Sequence, residues 1–327
     1  MNRRLHEIVS YPDREAWLAS RTTPGGFYIG ASEVAAVLGV SPFLSPFDVW
    51  AKHKAPDAVK AATGAHLDGG TRWEDVAARL FELDEREAGR RVIRPQWDVA
   101  TCALAPWLRA TPDAFIFDGD SLVGVWECKT IRFERLARNG ADGVEFDAVK
   151  PDASAWPEDG TVIDDYGDDV NGPVPIWMFI QTQAQMFATG TTSATLEAWF
   201  FGFEAPEVRR VTVLFDAVRW AAVLEQVTAW RDRYLLGDDI PEPGNPEEAM
   251  ALAKWRWPVK AGGRAATDAE VLLIAEINRC RAAEKAAKDR SAVLRAELAE
   301  SMGPAGKVWS SVGTASFNKN NALTVRE

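Results

Sequence analysis

With 327 residues and a 47% apolar fraction, the chain has room for one large domain with additions or for two ordinary domains, and enough apolar material to bury a core. No run approaches eighteen apolar residues and no apolar segment follows the charges of MNRRLHEIVSYPDREAW, so neither a membrane span nor a secretory leader is expected, and a cytoplasmic setting in a bacterial or phage-infected cell is. Three scattered cysteines (Cys102, Cys128 and Cys280) exclude a zinc or iron–sulfur cage and a disulfide framework. A formal charge of −11 counts against a uniformly basic nucleic-acid surface. Acid and base are segregated, however. PEDGTVIDDYGDDV and LLGDDIPEPGNPEE are acidic, whereas GRRVIR, IRFERLAR and VRR are basic, so an acidic body around a basic channel satisfies the same total.

In chain order, IGASEVAAVLG predicts a short helix with Ser32 as its N-cap and Gly39 just past its end. SPFDVWAKH predicts another, with Ser45 as cap and Pro46 in the first turn. TRWEDVAARLFEL is an amphipathic helix whose apolar stripe reads Trp73, Val76, Ala77, Leu80 and Phe81; Glu74 lies off the stripe and forms a capping box with Thr71. ATPDAFIF and SLVGVWECK are strands joined through Asp118-Gly119-Asp120. Residues 132–175, rich in Gly, Asp and Pro, form a surface excursion. PIWMFIQTQAQMFATG is a helix with Ile176, Phe179, Ile180 and Phe187 on one stripe, Gln183 near its centre, and Gln181 and Gln185 toward the other side. Two strands, TLEAWFFGF and VRRVTVLF, precede a long helix from Asp216 and an acidic linker. A charged helix of about ten turns follows, as a hairpin or a protruding arm, and GKVWSSVGTASFNKNNALTV closes the chain as a β-hairpin.

The chemistry concentrates in the first hairpin. Glu127 and Lys129, two residues apart in a strand, share a face that ought to be buried. With a three-residue loop at Gly119–Ser121, Asp113 pairs with Glu127, Phe115 with Val125 and Phe117 with Val123, and two carboxylates and an amine share one end of the hairpin. Carboxylates of this kind hold Mg²⁺, which activates water and stabilises charge on phosphate, while an amine orients or deprotonates the water. A surface salt bridge is the commoner fate of a Glu–Lys pair. Ser32 is equally a helix cap, and Gln183 equally a core amide bonded by backbone.

The spacing of Asp113, Glu127 and Lys129, with Pro112 before the aspartate, resembles the PD-(D/E)xK nuclease superfamily. GASEVAAVLGVSPFLSPFDVW, GTRWEDVAARLFE, WLRATPDAFI, WECKT and QTQAQMFATG, in that order, resemble the YqaJ-like viral recombinases, relatives of the lambda-type exonuclease; ALAKWRWP, the charged helix and the last hairpin resemble the extension many members carry. The resemblance implies an α/β fold with a restriction-endonuclease-like core, a central mixed sheet flanked by helices, followed by a C-terminal helical extension and β-hairpin. It places the nuclease domain at 1–236, with 132–175 as an excursion without a counterpart, and the extension at 237–327. The implied activity is a Mg²⁺-dependent 5′ to 3′ exonuclease, with Mn²⁺ substituting, that digests one strand of a double-stranded DNA end for a single-strand annealing protein. Residue by residue, Asp113, Glu127 and the Cys128 carbonyl match the metal ligands and Lys129 the catalytic lysine. Glu74 matches the acid on the first core helix, Gln183 the helix glutamine, and Ser32 and Arg21 the groups that bind the 5′-phosphate. A toroidal homotrimer is implied as well. An endonuclease of the same fold would differ in cutting closed circles, and a non-catalytic DNA-binding or recombinase-loading module would differ in lacking the chemistry that Asp113, Glu127 and Lys129 retain.

Overall fold

A computed structural model describes residues 5–22, 27–56, 65–95, 97–131, 134–140, 143–149, 153, 156–164, 172–201, 206–257, 262–317 and 323–326. The chain divides into two units, residues 1–133 with 150–258, and residues 134–149 with 259–327.

The first unit opens with β1 (His6–Ser10), α1 (Arg14–Thr22), β2 (Ile29–Gly30), α2 (Ala31–Val37) and α3 (Pro46–Lys54). α3 starts as its sequence predicts: Ser45 Oγ accepts from the Asp48 amide at 3.0 Å, and the Asp48 carboxylate accepts from the Ser45 amide at 2.9 Å. α2 does not. Its cap is Gly30, two residues before Ser32, so Ser32 lies inside the first turn, and the Glu33 carboxylate takes the Gly30 amide at 2.8 Å. Gly39 terminates it at φ 73°, as expected.

α4 (Ala65–Glu87) is 23 residues long, so Thr71 is interior and does not cap. Its buried face holds Ala77, Ala78, Phe81 and Glu85, while Trp73, Val76 and Leu80 are substantially exposed. The sequence stripe is therefore rotated, and Glu74 sits half-buried at the edge of the packed face.

β3 (Arg91–Ile93), β4 (Asp98–Cys102), β5 (Ala105–Ala110), β6 (Ala114–Asp118) and β7 (Ser121–Ile131) follow. After β8 (Glu134–Gly140) and β9 (Gly143–Val149) come β10 (Val162–Ile163), α5 (Ile176–Thr189), β11 (Ser193–Phe200), β12 (Glu207–Leu214), α6 (Ala217–Trp230) with a π-helical turn at Arg231–Leu236, and α7 (Pro246–Arg256). Four strands form one sheet in the order β1-β4-β5-β2, and six form a central mixed sheet in the order β10-β12-β11-β7-β6-β3. The excursion is thus not wholly superficial: β10 joins the central sheet parallel to β12 and buries Ile163.

Helices cover both faces of the central sheet, the α/β arrangement expected. On one face Phe115, Val125 and Leu196 join α2, α3, α5 and α6 in the main core; on the other Ala114, Ile116, Trp126, Cys128 and Trp199 pack with Ala77, Ala78 and Phe81 of α4. Phe81 stacks on Trp126 at 5.0 Å. α5 ends at Gly190, with φ 77°, where a Cβ would meet the His6 ring at 2.6 Å.

In the second unit β8 and β9 pair antiparallel, and α8 (Asp268–Met302) is one unbroken helix of 35 residues rather than a helical hairpin. The closing segment is three-stranded, β13 (Lys307–Ser310), β14 (Gly313–Phe317) and β15 (Leu323–Arg326), one strand more than the expected hairpin. Among the described residues no helix is long and apolar enough to cross a membrane.

Candidate active site

The β6–β7 turn has two residues, Gly119 and Asp120, not three: Asp118 pairs with Ser121 and Phe117 with Leu122. Gly119 takes φ 57°, a left-handed value that tight hairpin turns require. The register then shifts between Phe117 and Ile116, so that Ile116 pairs with Gly124, Phe115 with Val125 and Ala114 with Trp126. A β-bulge thus adds the residue that the turn lacks, and the far end of the hairpin arrives in the expected register, with Asp113 next in line opposite Glu127. Asp113 lies just beyond β6, and its Oδ2 accepts from the Cys128 amide at 2.8 Å, taking the place of a strand partner.

Glu127 is 3% exposed. Lys129 Nζ, Gln181 Nε2 and Gln185 Nε2 all donate to its carboxylate. Gln181 and Gln185 are four residues apart on the α5 face turned toward β7. Gln183, the expected site glutamine, faces elsewhere: its Nε2 donates to the Leu214 carbonyl and its Oε1 accepts from the Asp216 amide, both at 2.8 Å, tying α5 to the β12–α6 connection. α5 is buried around most of its circumference, so its apolar stripe does not mark which side meets the sheet. Two amides at i and i+4 in an all-buried helix, which need a shared acceptor, are the signal that could have found Gln181 and Gln185.

Charge is unbalanced here. Burial, with the charges of Glu127 and Glu74 beside it, holds the Asp113 carboxyl well above its ordinary range. Burial and Glu127 likewise raise Glu74. Burial would lower Lys129, but Glu127 and Asp113 outweigh it, and the ammonium keeps its proton. Asp113 and Glu127 thus share Lys129, and Glu74 adds a third carboxylate nearby that Arg94 and Lys129 only partly offset. Among the described residues no three acidic, imidazole or thiol side chains already surround one centre. The donor set nevertheless suits Mg²⁺, which binds one or two carboxylates and completes its shell with water and phosphate oxygens. Excess negative charge in a desolvated pocket is what a divalent cation relieves. Asp113 and Glu127 are the side chains to hold it. The Cys128 thiol is buried in the core cluster that packs against α4.

Ser32 lines a cavity of about 270 Å³ together with Tyr28, Lys52, Arg109, Gln181 and Gln185, so the cavity touches the same glutamines that grip Glu127. Lys52 pairs with Glu33 in its wall. Burial would raise Glu33, but the Lys52 ammonium and the Gly30 amide outweigh it and hold the carboxyl below its ordinary value. Arg109, which sequence reasoning missed, lies over the Tyr28 ring at 3.3 Å and donates to the Ser20 carbonyl at 2.8 Å. Arg21 stands near the end of α1, and its side chain lies outside the described residues.

A family model, the YqaJ-like viral recombinase domain, matches residues 16–192, which is 177 of the 327 residues and more than half of the chain. Similar solved structures include an alkaline exonuclease from Laribacter hongkongensis, 16% identical over 74% of this chain and 95% of that one with a TM-score of 0.42. The same enzyme in complex with dAMP is 15% identical over the same shares, with a TM-score of 0.43. No curated protein matches. By the family model, the chain belongs to the YqaJ-like viral recombinases.

Proposed function

We propose that this chain is a Mg²⁺-dependent nuclease, with Mn²⁺ able to substitute, that digests one strand of linear double-stranded DNA in the 5′ to 3′ direction and leaves single strands for an annealing protein in the cytoplasm. The observation that carries this reading is the meeting of Asp113, Glu127 and Lys129 at the open end of β6–β7, beside a cavity that contains Ser32. When bound, the metal would supply Lewis acidity toward phosphate and water. The chain's own residues do the rest. Asp113 and Glu127, with the Cys128 carbonyl, would hold the cation. Gln181 and Gln185 fix the Glu127 carboxylate, so its oxygens need no rearrangement during reaction. Lys129 orients the attacking water through its ammonium hydrogens and offsets charge on the phosphate, and Glu74 adds a carboxylate at the rim. Ser32 and Arg21 take the terminal 5′-phosphate.

A toroidal homotrimer, which the resemblance to lambda-type exonucleases implies, would turn basic surface inward and reconcile the net charge of −11 with DNA. Linear and closed circular duplex incubated with and without Mg²⁺ test the reading: loss of linear DNA only, and only with the metal, is expected. Cutting of circles would indicate an endonuclease, and no cleavage of either would indicate a binding module.

A further inference from the structure

The four-stranded sheet has two unlike faces. Ala100, Cys102, Leu108 and Ala110 point inward and are buried. By strand alternation Glu7 and Val9 of β1, Val99 and Thr101 of β4, and Trp107 and Arg109 of β5 point the other way. Glu7 is opposite Thr101, and Thr101 opposite Arg109, so they form one row across the sheet.

This outer face is walled rather than flat. Tyr28 stands at its edge with the Arg109 guanidinium 3.3 Å from its ring centroid. Arg231, from the π-helical turn, lies 5.3 Å from the Trp107 ring centroid and donates to the Phe27 carbonyl at 3.3 Å. Tyr11 completes a cavity of about 420 Å³. Tyr28, Val99 and Arg109 also line the cavity that holds Ser32, Gln181 and Gln185. The two cavities therefore adjoin across these three residues, one on the side of Ser32 and the donors of Glu127, the other on the outer face of the sheet. At the junction Arg109 Nε is buried with no hydrogen-bond partner among the described residues.

The lining chemistry selects the occupant. Guanidinium planes laid on aromatic rings make flat, positively charged surfaces, on which any base can stack, since every base has a π-face. An isolated phosphate would use guanidinium edges and leave the rings idle. We propose that this second cavity is a subsite for an unpaired nucleobase at the DNA end, the base of the terminal nucleotide whose phosphate occupies the first cavity. This rests on the nuclease reading above and names a substrate group that it does not. Stacking there would hold the terminal nucleotide out of its pair while its linkage lies at the carboxylates, without preference among the four bases.

The test compares 5′-phosphorylated linear duplexes whose terminal nucleotide is either normal or an abasic tetrahydrofuran, in single-turnover digestion with Mg²⁺. An abasic end opens more easily, so slower removal reports the missing base contact. Wild type is expected to release the normal nucleotide about tenfold faster, the effect of one base–aromatic stack. Trp107→Leu should bring that ratio close to one, and Trp107→Phe, which keeps a ring, should retain most of it. Equal wild-type rates, or an undiminished ratio in folded Trp107→Leu, would overturn the subsite. If Trp107→Leu does not fold, Arg231→Gln carries the same expectation. If wild type digests neither duplex, the nuclease reading fails. The subsite is then judged by metal-free binding of 2′-deoxyadenosine 5′-monophosphate, which should quench tryptophan fluorescence where inorganic phosphate does not; no difference between the two would overturn it.

Discussion

Glu127 and Glu197 lie on neighbouring parallel strands, 3% and 0% exposed, and differ in nearly everything that matters for function. Glu197 accepts from Trp126 Nε1, Trp199 Nε1 and Arg210 Nε, and Arg210 also reaches Asp84 at 3.0 Å while its guanidinium lies 5.1 Å from the Phe81 ring centroid. That carboxylate is matched by a cation, closed off from solvent, and clamps β7, β11 and β12 to α4. Glu127, one strand away and on the opposite face, is also saturated with donors, yet it shares its surroundings with the carboxyls of Asp113 and Glu74, both held above their ordinary range. Burial alone therefore does not distinguish a structural carboxylate from a functional one. Charge balance and access to a cavity do.

Breaking the functional side of the contrast should cost the most. Lys129→Ala is expected to reduce Mg²⁺-dependent digestion of linear duplex by about 10²–10⁴-fold, the usual worth of a positioned proton-handling group, with DNA binding still measurable by gel shift. Full activity in that variant would remove the lysine from the mechanism. On the structural side, Glu197→Ala leaves the Arg210 guanidinium part-buried without its main partner, and should lower unfolding free energy by about 3–5 kcal/mol in denaturant titration. An exposed-site cost of a few tenths would show that the network is not what holds α4 to the sheet.

Asp113→Asn sharpens the comparison, because removing one of three mutually repelling carboxylates should abolish digestion while raising metal-free stability by about 1 kcal/mol, or a few degrees in Tm. Mg²⁺ should raise the Tm of wild type and not of this variant. The smallest effect concerns Glu33, whose folded-state carboxyl is held below its ordinary value. A depressed carboxylate contributes stability that is present above its unfolded value, about 4.3, and is lost as pH falls through the folded one. Urea midpoints between about pH 5 and pH 3 should therefore fall more steeply in wild type than in Glu33→Gln. The difference should be about 1 kcal/mol or less, since Lys52 is partly screened by solvent.

Local grammar was legible where the interaction is local. Ser45, Pro46 and Asp48 start α3 because a cap needs only its own first turn, and Gly39 and Gly119 mark places where φ must be positive. Asp113, Glu127 and Lys129 could be grouped from spacing, since strand alternation repeats every two residues whatever surrounds it. Features that depend on which neighbour covers a face are not legible in this way. The α4 stripe was rotated because Trp73, Val76 and Leu80 are apolar without being buried. A helix wheel centres Gln183 on the apolar stripe of α5 but cannot tell which side of an all-buried helix meets a sheet, and Gln181 and Gln185 occupy that side. A two-residue turn plus a bulge stands where the spacing predicts a three-residue loop, and because the two departures cancel, Ala114 and Phe115 keep the predicted register with Trp126 and Val125.

By itself, then, the sequence determined the start of α3, the end of α2 at Gly39, the β6–β7 hairpin, the family and the three residues of the D…ExK set, because these depend on short-range sterics, strand periodicity and the order of motifs. Tertiary structure alone decided which glutamines hold Glu127, which glutamate is neutralised by Arg210, and that Arg109 and Tyr28 form a wall common to two cavities. Those choices rest on hydrogen bonds and charges between residues distant in sequence. The free energy of burying a polar group is set by the partner it meets, and that partner is named only by the fold.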